Sequence, residues 1–391
     1  MTVVREIPGD PSALDEAWSQ ERTFAFLPEK TEVAESWVAD ALAGLPPALA
    51  TGHFALLTSG STGHPKLVIG KRARAEALAR TLHEVQDSAS VQETLLTLPL
   101  SYCYAFVNQW LWAREHGRRL VATRGFGDPE RLRGALDRAE DAMVCLVGAQ
   151  LPLFERNFPD AVFPGVTRVH FAGGPFPQAE LERLATRFPS ATVFNNYGCA
   201  EAMPRLTCRR AEEAREATDV GRPLPGIEVR LGEQGELLFR SPFGAVAFFE
   251  EGGLRRLEPE AWIPSGDHAE CTEAGTWRLL GRANQVFKRY GEKIALARLL
   301  DTVGSAWAGQ AHFYKERDRM NEEGFCLLLT PAPAEEDVRA VLKAFRAAHP
   351  RTHWPLRVES VDELPVLPNG KTDLAALSSL ANKTVHWKNR I

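Results

Sequence analysis

Short apolar runs alternate with helical patterns between Phe54 and Phe194, and this alternation constrains the fold more than any other feature of the sequence. The apolar runs are HFALLT, TLLTLP, RRLVAT, AMVCLV, TRVHFAGG and ATVF. One intervening segment carries Leu78, Leu82 and Val85 on a single helical face. Strand–helix alternation of this kind predicts layered α/β structure with a largely parallel sheet.

The pattern changes after Asp219, where short runs bounded by Gly or Pro predict antiparallel β structure. These runs are IEVRL, GELLFR and TWRLLG. The C-terminal part predicts helices near Ala295–Val303 and Glu335–His349, and strands AHFYK, FCLLL and LRVESV. The sequence therefore predicts a large domain of layered α/β sheets with a β subdomain, residues 1–282, and a small α+β domain, residues 284–391.

The composition of the 391 residues argues against several classes of protein. A hydrophobic content of 44%, a charged content of 25% and a net charge of −5 are ordinary for a globular protein and do not suit nucleic-acid binding or a polybasic membrane surface. The six cysteines are scattered without a CxxC pair, which fits a reducing compartment. The start, MTVVREIPGD, lacks a signal-peptide core, and no apolar run reaches the ~18 residues of a membrane helix. We therefore expect a cytoplasmic protein without a membrane span.

A run of glycines and hydroxyls, TSGSTGHPK, occupies residues 58–66 directly after the first apolar run. Gly60 and Gly63 allow the backbone to turn its N–H groups toward an anion, and Lys66 adds a positive charge. The run is not a Walker A loop, which needs four residues between its glycines and a Ser or Thr after its Lys, whereas Leu67 follows here. From these residues alone, a phosphate-binding loop and an ordinary Ser/Gly-rich turn are equally consistent with the pattern.

The same residues resemble the phosphate loop of the adenylate-forming superfamily, (S/T)SG(S/T)TGxPK. This superfamily includes acyl- and aryl-CoA synthetases, fatty acyl-AMP ligases, nonribosomal adenylation domains and luciferase. Further motifs similar to those of the superfamily follow in its order: FAGGP, NNYGCAEAMPR, WIPSGDHAE, GRANQVFKRYGEKI and LPVLPNGKTD. Any one of them alone is more typical of a surface turn, whereas the ordered set favours membership. The resemblance covers about residues 50–375.

The resemblance implies that the chain binds ATP and Mg²⁺. Tyr197 would lie against the adenine, Glu201 would bind Mg²⁺, and Asp267 would accept hydrogen bonds from the ribose hydroxyls. Lys371 would be the catalytic lysine that bridges the acid and the α-phosphate, and Thr62 and Glu201 complete the implied catalytic set. The implied cofactor-binding residues are Thr58, Ser59, Gly60, Ser61, Thr62, Gly63, Lys66, Gly173, Gly174, Asn196, Tyr197, Gly198, Asp267, Arg282 and Lys371.

The reaction that the resemblance implies has two halves. A carboxylate attacks the α-phosphate of MgATP in line and pyrophosphate leaves, after which a thiol takes the acyl group and releases AMP. In the superfamily the small domain rotates between the halves, which would move Lys371 out and the face around Gly291 in. Asn284 would be the hinge, because Asn tolerates unusual backbone angles. The small C-terminal domain is therefore expected to be mobile.

Three features depart from the superfamily pattern, and one of them is Asn284, which stands where the superfamily has a hinge Asp or Lys. Ala200 stands where the superfamily has Thr, which removes a hydroxyl expected near the α-phosphate. Only 57 residues precede the phosphate loop, fewer than in most members, so we expect a reduced N-terminal subdomain and an acyl-pocket wall that is altered or supplied by a partner. These departures leave open a degenerate nucleotide-binding protein, against which the intact Lys371, Glu201 and Asp267 argue.

The segment LPLSYCYAF bears on which class of carboxylic acid the chain would activate. Amino-acid-activating relatives carry a Phe-Asp pair at the positions of Tyr102 and Cys103, and the missing carboxylate argues against an α-amino acid. Tyr102 would gate the acyl pocket, whereas Tyr104 and Phe106 are more typical of core packing. An aryl acid and a short-to-medium acyl chain both stay open. The implied substrate-binding residues are Tyr102, Phe171, Gly173 and Gly198.

The implied acceptor is a thiol, either CoA or an acyl carrier protein that acts in trans. Lys288, Arg289 and Lys293 predict a basic edge that suits CoA phosphates or an acidic carrier, although a solvated charge run explains them equally well. Transfer to an amine is an alternative that the sequence does not distinguish. The oligomeric state also stays open.

Overall fold

The structure, a computed structural model, describes residues 2–59, 65–174, 176–214, 216–233, 235–282, 286–289, 292–365 and 376–389. The chain divides into a large unit, Met1–Ser265 with Glu270–Leu279, and a small unit, Gly266–Ala269 with Leu280–Ile391. The domain boundary at residues 282–284 and the hinge at Asn284 stay predictions, because residues 283–285 lie outside the described residues.

In chain order, the strands of the described residues are β1 (Thr2–Arg5), β2 (Phe24–Leu27), β3 (His53–Ser59), β4 (Pro65–Lys71), β5 (Glu93–Leu95), β6 (Arg119–Val121), β7 (Ala142–Leu146), β8 (Val166–Phe171), β9 (Thr192–Tyr197), β10 (Thr207–Arg210), β11 (Asp219–Gly221), β12 (Glu228–Leu231), β13 (Glu236–Arg240), β14 (Ala247–Glu250), β15 (Gly253–Arg256), β16 (Ile263–Cys271), β17 (Trp277–Arg282), β18 (Val286–Arg289), β19 (Glu292–Ala295), β20 (Gln310–Arg317), β21 (Glu323–Thr330), β22 (Arg357–Ser360) and β23 (Thr384–Lys388).

The α-helices of the same residues are α1 (Ser12–Ser19), α2 (Glu35–Ala43), α3 (Arg72–Val85), α4 (Cys103–Ala105), α5 (Trp112–Glu115), α6 (Pro129–Asp137), α7 (Leu151–Asn157), α8 (Leu181–Arg187), α9 (Leu296–Gly304) and α10 (Glu335–Ala348). A π-helix, Phe106–Leu111, joins α4 to α5. No helix among the described residues is long and apolar enough to cross a membrane.

A largely parallel sheet forms one layer of the large unit, in the order β10-β9-β8-β7-β5-β6. Its five strands β5 to β9 pair in parallel, and β10 is antiparallel to β9. Strand β7 is buried along its whole length, as expected for a parallel strand covered on both faces. The predicted layered α/β class is confirmed.

A mixed sheet forms a second layer, in the order β1-β2-β3-β4-β14-β15. HFALLT, which the sequence pattern grouped with the runs of the largely parallel sheet, is β3 of this mixed sheet, where it pairs in parallel with β2 and antiparallel with β4. Periodicity did not reveal β4, whose buried residues form one continuous apolar run before α3. The N-terminal strands β1 and β2 extend this sheet in parallel with β3.

An aromatic cluster fills the space between the mixed sheet and the π-helix. Phe106 stacks on Phe54 with ring centroids 5.0 Å apart, and Trp18 of α1 lies edge-on to Trp110 at 5.2 Å. Phe26 of β2 also packs against Phe106, at 6.2 Å. Aromatic side chains bury large areas when they pack together, so this cluster stabilises the packing of residues 2–27 against the rest of the large unit.

The β subdomain is a five-stranded sheet in the order β11-β17-β16-β13-β12, with antiparallel pairs β11–β17 and β12–β13. In the small unit, β18 and β19 form an antiparallel hairpin, and a second sheet has the order β20-β21-β22-β23. Helices α9 and α10 bury Leu299, Val341 and Phe345 in a core shared with Leu327 of β21. The predicted C-terminal helices and strands are all present, and β23 is an additional strand.

Candidate active site

The turn after β8 brings a glycine against the tyrosine predicted to gate the acyl pocket. Gly173 has φ +75°, and a Cβ at this position would lie 2.6 Å from Tyr102 Oη and 3.5 Å from Val147 Cγ1. Both the backbone angle and the space therefore require glycine. Tyr102 is 39% exposed, so its ring lines a surface that a ligand can reach.

The turn after β9 also contains a glycine, Gly198, that leaves no room for a side chain. A Cβ on Gly198 would lie 1.9 Å from the carbonyl oxygen of Pro204, so the turn folds directly onto the segment that leads into β10. Tyr197 is buried and its carbonyl accepts a hydrogen bond from the Leu206 N–H at 2.9 Å. Because β8 and β9 are parallel neighbours, both turns lie at the same edge of the sheet, which is the usual place for a ligand in this architecture.

Lys66 and Glu201 meet although they are 135 residues apart in the sequence. The distance from Lys66 Nζ to Glu201 Oε1 is 2.6 Å, and the two side chains are 15% and 23% exposed. The ammonium also lies 4.2 Å from the centroid of the Phe248 ring. The contact unites the end of the phosphate-loop motif with the acidic residue of the NNYGCAEAMPR motif.

The residues near Glu201 are compatible with Mg²⁺. The described residues contain no group of three or more His, Cys, Asp or Glu side chains that could hold a metal ion alone. Mg²⁺ beside a nucleotide needs only one or two carboxylates, because phosphate oxygens and waters supply its other ligands. Glu201, as one partly exposed carboxylate, suits that arrangement.

The phosphate-loop motif begins and ends in a β-hairpin. Thr58 pairs with Lys66 and Ser59 pairs with Pro65 in the β3–β4 ladder, so the two ends of the motif are adjacent. The residues between them, Gly60, Ser61, Thr62 and Gly63, lie outside the described residues, as does Lys371. Their predicted roles stay predictions.

Cys103 follows Tyr102 in the LPLSYCYAF segment. Its side chain is buried at the start of α4, and burial, followed by the negative charge of Glu201, raises the pKa of the thiol far above its usual range. The group therefore stays a neutral thiol and offers no counter-charge to a substrate ammonium.

Three of the predicted binding residues do not present a side chain to a ligand, because two are buried and one is a glycine. Phe171 is 1% exposed and packs edge-on against Phe176, so only its backbone borders the turn after β8. The Asn196 side chain is buried and donates to the Phe171 carbonyl at 3.1 Å. Gly174 has open space around its Cβ position. Tyr104 and Phe106 are buried in the core, in agreement with the sequence-based preference.

A buried polar network that sequence reasoning missed lies behind these turns. The Arg205 guanidinium, 1% exposed, donates to Asn196 Oδ1 and, at 2.8 Å, to Asn108 Oδ1. His170 of β8 lies 3.4 Å from the Asn196 amide, and burial holds its pKa well below the usual value, so its ring is neutral. The polar pair Asn108 and Gln109 inside an otherwise apolar helical run was the available sequence signal.

Asp267 and Arg282 form an ion pair in the small unit. Arg282 Nε lies 3.2 Å from Asp267 Oδ1, with side chains 57% and 9% exposed respectively. They stand on β16 and β17. A buried carboxylate oriented by an exposed guanidinium is well suited to accept hydrogen bonds from a diol.

The predicted basic edge needs a correction. Arg289 is fully buried and its guanidinium lies 3.0 Å from Asp318 Oδ2, so it is not part of an exposed charged edge. Its position on the inner face of the β18–β19 hairpin explains the burial, because successive residues of a strand point to opposite sides. The side chains of Lys288 and Lys293 lie outside the described residues.

Comparison with known proteins identifies the family. The family described as AMP-binding enzyme matches residues 13–247, which is more than half of the chain. The chain therefore belongs to the AMP-binding enzyme family, whose members include acyl-CoA ligases.

The individual relatives are distant. A (7a-methyl-1,5-dioxo-octahydro-1H-inden-4-yl)propanoyl:CoA ligase of Rhodococcus jostii is 25% identical over 334 residues, which cover 81% of this chain and 62% of the ligase. A salicylyl-CoA synthase/salicylate adenylyltransferase of a Streptomyces species is 27% identical over 344 residues, covering 81% of this chain and 61% of that protein. This chain spans less than two thirds of the length of either relative.

Solved structures show the same fold. The o-succinylbenzoate CoA synthetase of Bacillus subtilis with its acyl-adenylate has a TM-score of 0.76 at 15% identity, covering 100% of this chain and 89% of that one. The same enzyme with ATP and magnesium has a TM-score of 0.70 at 19% identity, covering 83% and 69%. The large unit with its sheets, the β subdomain and the small α+β unit thus constitute an adenylate-forming fold.

Proposed function

We propose that this protein activates an aryl or short-to-medium acyl carboxylic acid with MgATP and transfers the acyl group to a thiol. The observation that carries this proposal is the 2.6 Å contact between Lys66 and Glu201, close in sequence to the glycine turn at Gly198. The contact places a phosphate-loop cation beside a carboxylate that can bind Mg²⁺, and both charges can act on the phosphate oxygens of ATP.

In the first half-reaction, a carboxylate oxygen forms a bond to the α-phosphorus while the bond from this phosphorus to the β-phosphate bridging oxygen breaks. Lys66 neutralises charge on the departing pyrophosphate, and the backbone turn at Gly198 allows the α-phosphate to approach the sheet edge closely. Magnesium, when bound by Glu201, supplies charge neutralisation on the phosphate oxygens. Lys371 is proposed to bridge the acid and the α-phosphate.

In the second half-reaction, a thiolate attacks the acyl carbonyl carbon, the bond to AMP breaks, and the thiol proton goes to solvent. CoA and an acyl carrier protein in trans are the two proposed acceptors. The family includes acyl-CoA ligases, which supports a thiol over an amine. Asp267 and Arg282 are proposed to hold the ribose.

The class of acid follows from Tyr102 and Cys103. A substrate that carries an ammonium group would meet the neutral thiol of Cys103, whereas the exposed ring of Tyr102 offers an apolar face to an aryl or acyl group. The similarity to a salicylyl-CoA synthase, a protein named for an aryl acid, supports the same class.

A pyrophosphate-release screen over aryl and acyl acids, without an acceptor, tests the proposal. We expect release that requires both an acid and MgATP, and that falls by at least roughly a hundredfold in Lys371→Ala and Glu201→Gln, because each removes a charge that acts on the transition state. Arg339→Gln, which changes an exposed residue of α10, is the matched control and should retain full activity. ATP binding without release for every acid would favour a degenerate nucleotide-binding protein. Adding CoA, carrier proteins and amines to the active reaction then identifies the acceptor.

A further inference from the structure

The N-terminal segment, residues 2–27, contacts the turn that contains Tyr102. We call this turn, residues 100–102, the gate turn. Glu6 is buried, with 7% of its surface exposed, and stands directly after β1. Its Oε1 accepts a hydrogen bond from the Leu100 N–H at 2.6 Å. Its Oε2 accepts from the Ser101 N–H at 3.2 Å and from the Ser101 hydroxyl at 2.5 Å.

This carboxylate is itself held firmly. The Glu6 N–H donates to the Leu27 carbonyl at 2.9 Å, which ties the residue to the end of β2 in the mixed sheet. Two further contacts from the same segment reach the helical run after the gate turn: Trp110 Nε1 donates to Asp15 Oδ1 at 2.9 Å, and Trp18 packs on Phe106 at 5.8 Å. The N-terminal segment therefore holds residues 100–110 at both ends.

The gate turn in turn sets the position of the Tyr102 ring. The Tyr102 N–H donates to the Pro99 carbonyl at 3.1 Å, and the Tyr102 carbonyl accepts from the Phe106 N–H at 3.0 Å. The backbone of Tyr102 is therefore held by the hydrogen bonds of Glu6 on its N-terminal side and by α4 on its C-terminal side. Its hydroxyl reaches the space above Gly173 that a Cβ would fill.

We infer that Glu6 is a positioning residue that determines which acids the enzyme accepts, acting through the gate turn on Tyr102. The inference rests on the proposed function, since Tyr102 is taken to line the acyl pocket. Three hydrogen bonds to one buried carboxylate are stronger than bonds to a neutral group, so the turn has a single defined conformation while Glu6 is present. The N-terminal segment would then supply part of the support for the acyl pocket.

Glu6→Gln is the principal test. The variant keeps the shape and one acceptor oxygen, but its amide NH₂ faces the Ser101 N–H and leaves that donor unsatisfied. We expect the KM for the preferred acid to rise roughly tenfold, the ranking of acids to change, and the KM for ATP to stay within about twofold, because losing one buried hydrogen bond to a charged group costs about a factor of ten. Ser101→Ala, which loses only the hydroxyl bond, should change the KM for the acid in the same direction by about threefold.

The control is Glu16→Gln, which changes an exposed glutamate of α1 in the same segment and should leave both KM values unchanged. A folded Glu6→Gln variant with an equal loss of kcat for every acid and an unaltered KM for the acid would show a structural role alone and overturn the inference.

Hydrogen exchange separates failure of this inference from failure of the proposed function. In the wild-type protein the Leu100 and Ser101 amides should exchange slowly, and in Glu6→Gln they should exchange at least about tenfold faster, whereas Glu16→Gln should not alter them. Unchanged exchange in Glu6→Gln overturns the inference whether or not the enzyme is active. If the amides respond but no acid supports pyrophosphate release in the wild-type protein, the proposed function fails, and the inferred control of acid selection fails with it.

Discussion

At the scale of single residues, the candidate site depends on close approaches that only particular side chains permit. Lys66 lies near the start of β4 and Glu201 in the turn after β9, and both side chains remain partly exposed. Gly173 and Gly198 leave no room for a Cβ beside Tyr102 and Pro204. These residues were identified from their motifs. Glu6 was not, because it belongs to none of the motifs, and Arg205, although it ends the NNYGCAEAMPR motif, was given no role there.

Gly173→Ala tests the close approach at Tyr102. The added Cβ would lie 2.6 Å from Tyr102 Oη, and the φ of +75° is strained for alanine, so we expect the KM for the acid to rise about tenfold and the unfolding free energy to fall by about 1 kcal/mol. Combining it with Tyr102→Phe removes the clashing oxygen and should recover part of the unfolding free energy. Steady-state kinetics and thermal unfolding measure the two effects.

Gly252→Ala provides the comparison, since nothing lies within 4 Å of its Cβ position and it is remote from the site in sequence. It should alter neither the kinetics nor the unfolding temperature. A wild-type KM in Gly173→Ala would show that the ring of Tyr102 does not border the acid.

At the scale of elements, a buried ion pair joins the β18–β19 hairpin to the turn after β20. Arg289 and Asp318 are 0% and 3% exposed, and Asp318 also accepts hydrogen bonds from the backbone N–H groups of Met320 and Glu322 at 2.8 and 3.0 Å. Replacing the arginine leaves the buried Asp318 carboxylate with fewer hydrogen-bond donors. The unfolding free energy should therefore fall by more than the net contribution of the ion pair itself. This hairpin carries the GRANQVFKRYGEKI motif, so its anchoring bears on the proposed second half-reaction.

Arg289→Met should therefore lower the unfolding free energy of the protein by about 3–5 kcal/mol, the usual effect of breaking a buried pair. Arg339→Met removes the exposed pair with Glu335 on α10, whose side chains are 72% and 84% exposed, and should leave the unfolding free energy nearly unchanged. Denaturant unfolding of the two variants gives the difference. Equal effects would mean that Arg289 is solvated in solution.

At the scale of the whole molecule, residues 2–27 are an integral part of the large unit. Strands β1 and β2 cover the edge of β3, and Trp18 completes the aromatic cluster with Phe54 and Trp110.

Deletion of residues 2–27 should yield an insoluble or aggregating chain, because it exposes the β3 edge and the apolar faces of Phe54 and Phe106. Ile7→Ser, which changes a residue of the same segment that is 53% exposed, should remain soluble and folded. Soluble yield and light scattering distinguish the outcomes. A soluble, active truncated enzyme would show that the segment is dispensable.

The sequence by itself determined the fold class and the order of the motifs, because strand and helix periodicity and glycine-rich turns are local properties of the chain. HFALLT shows the limit of such patterns: its apolar run predicted a strand correctly but could not reveal that this strand belongs to the mixed sheet, between the parallel β2 and the antiparallel β4.

Only the tertiary structure decided which residues meet. Lys66 and Glu201 are separated by 135 residues and Glu6 and Leu100 by 94, so their contacts depend on sheet order and on how the layers pack. The same reason explains Arg289, whose charge suggested an exposed edge until the strand's orientation and Asp318 placed it in the interior. Burial and pairing are properties of the folded chain, and no local pattern of residues encodes them.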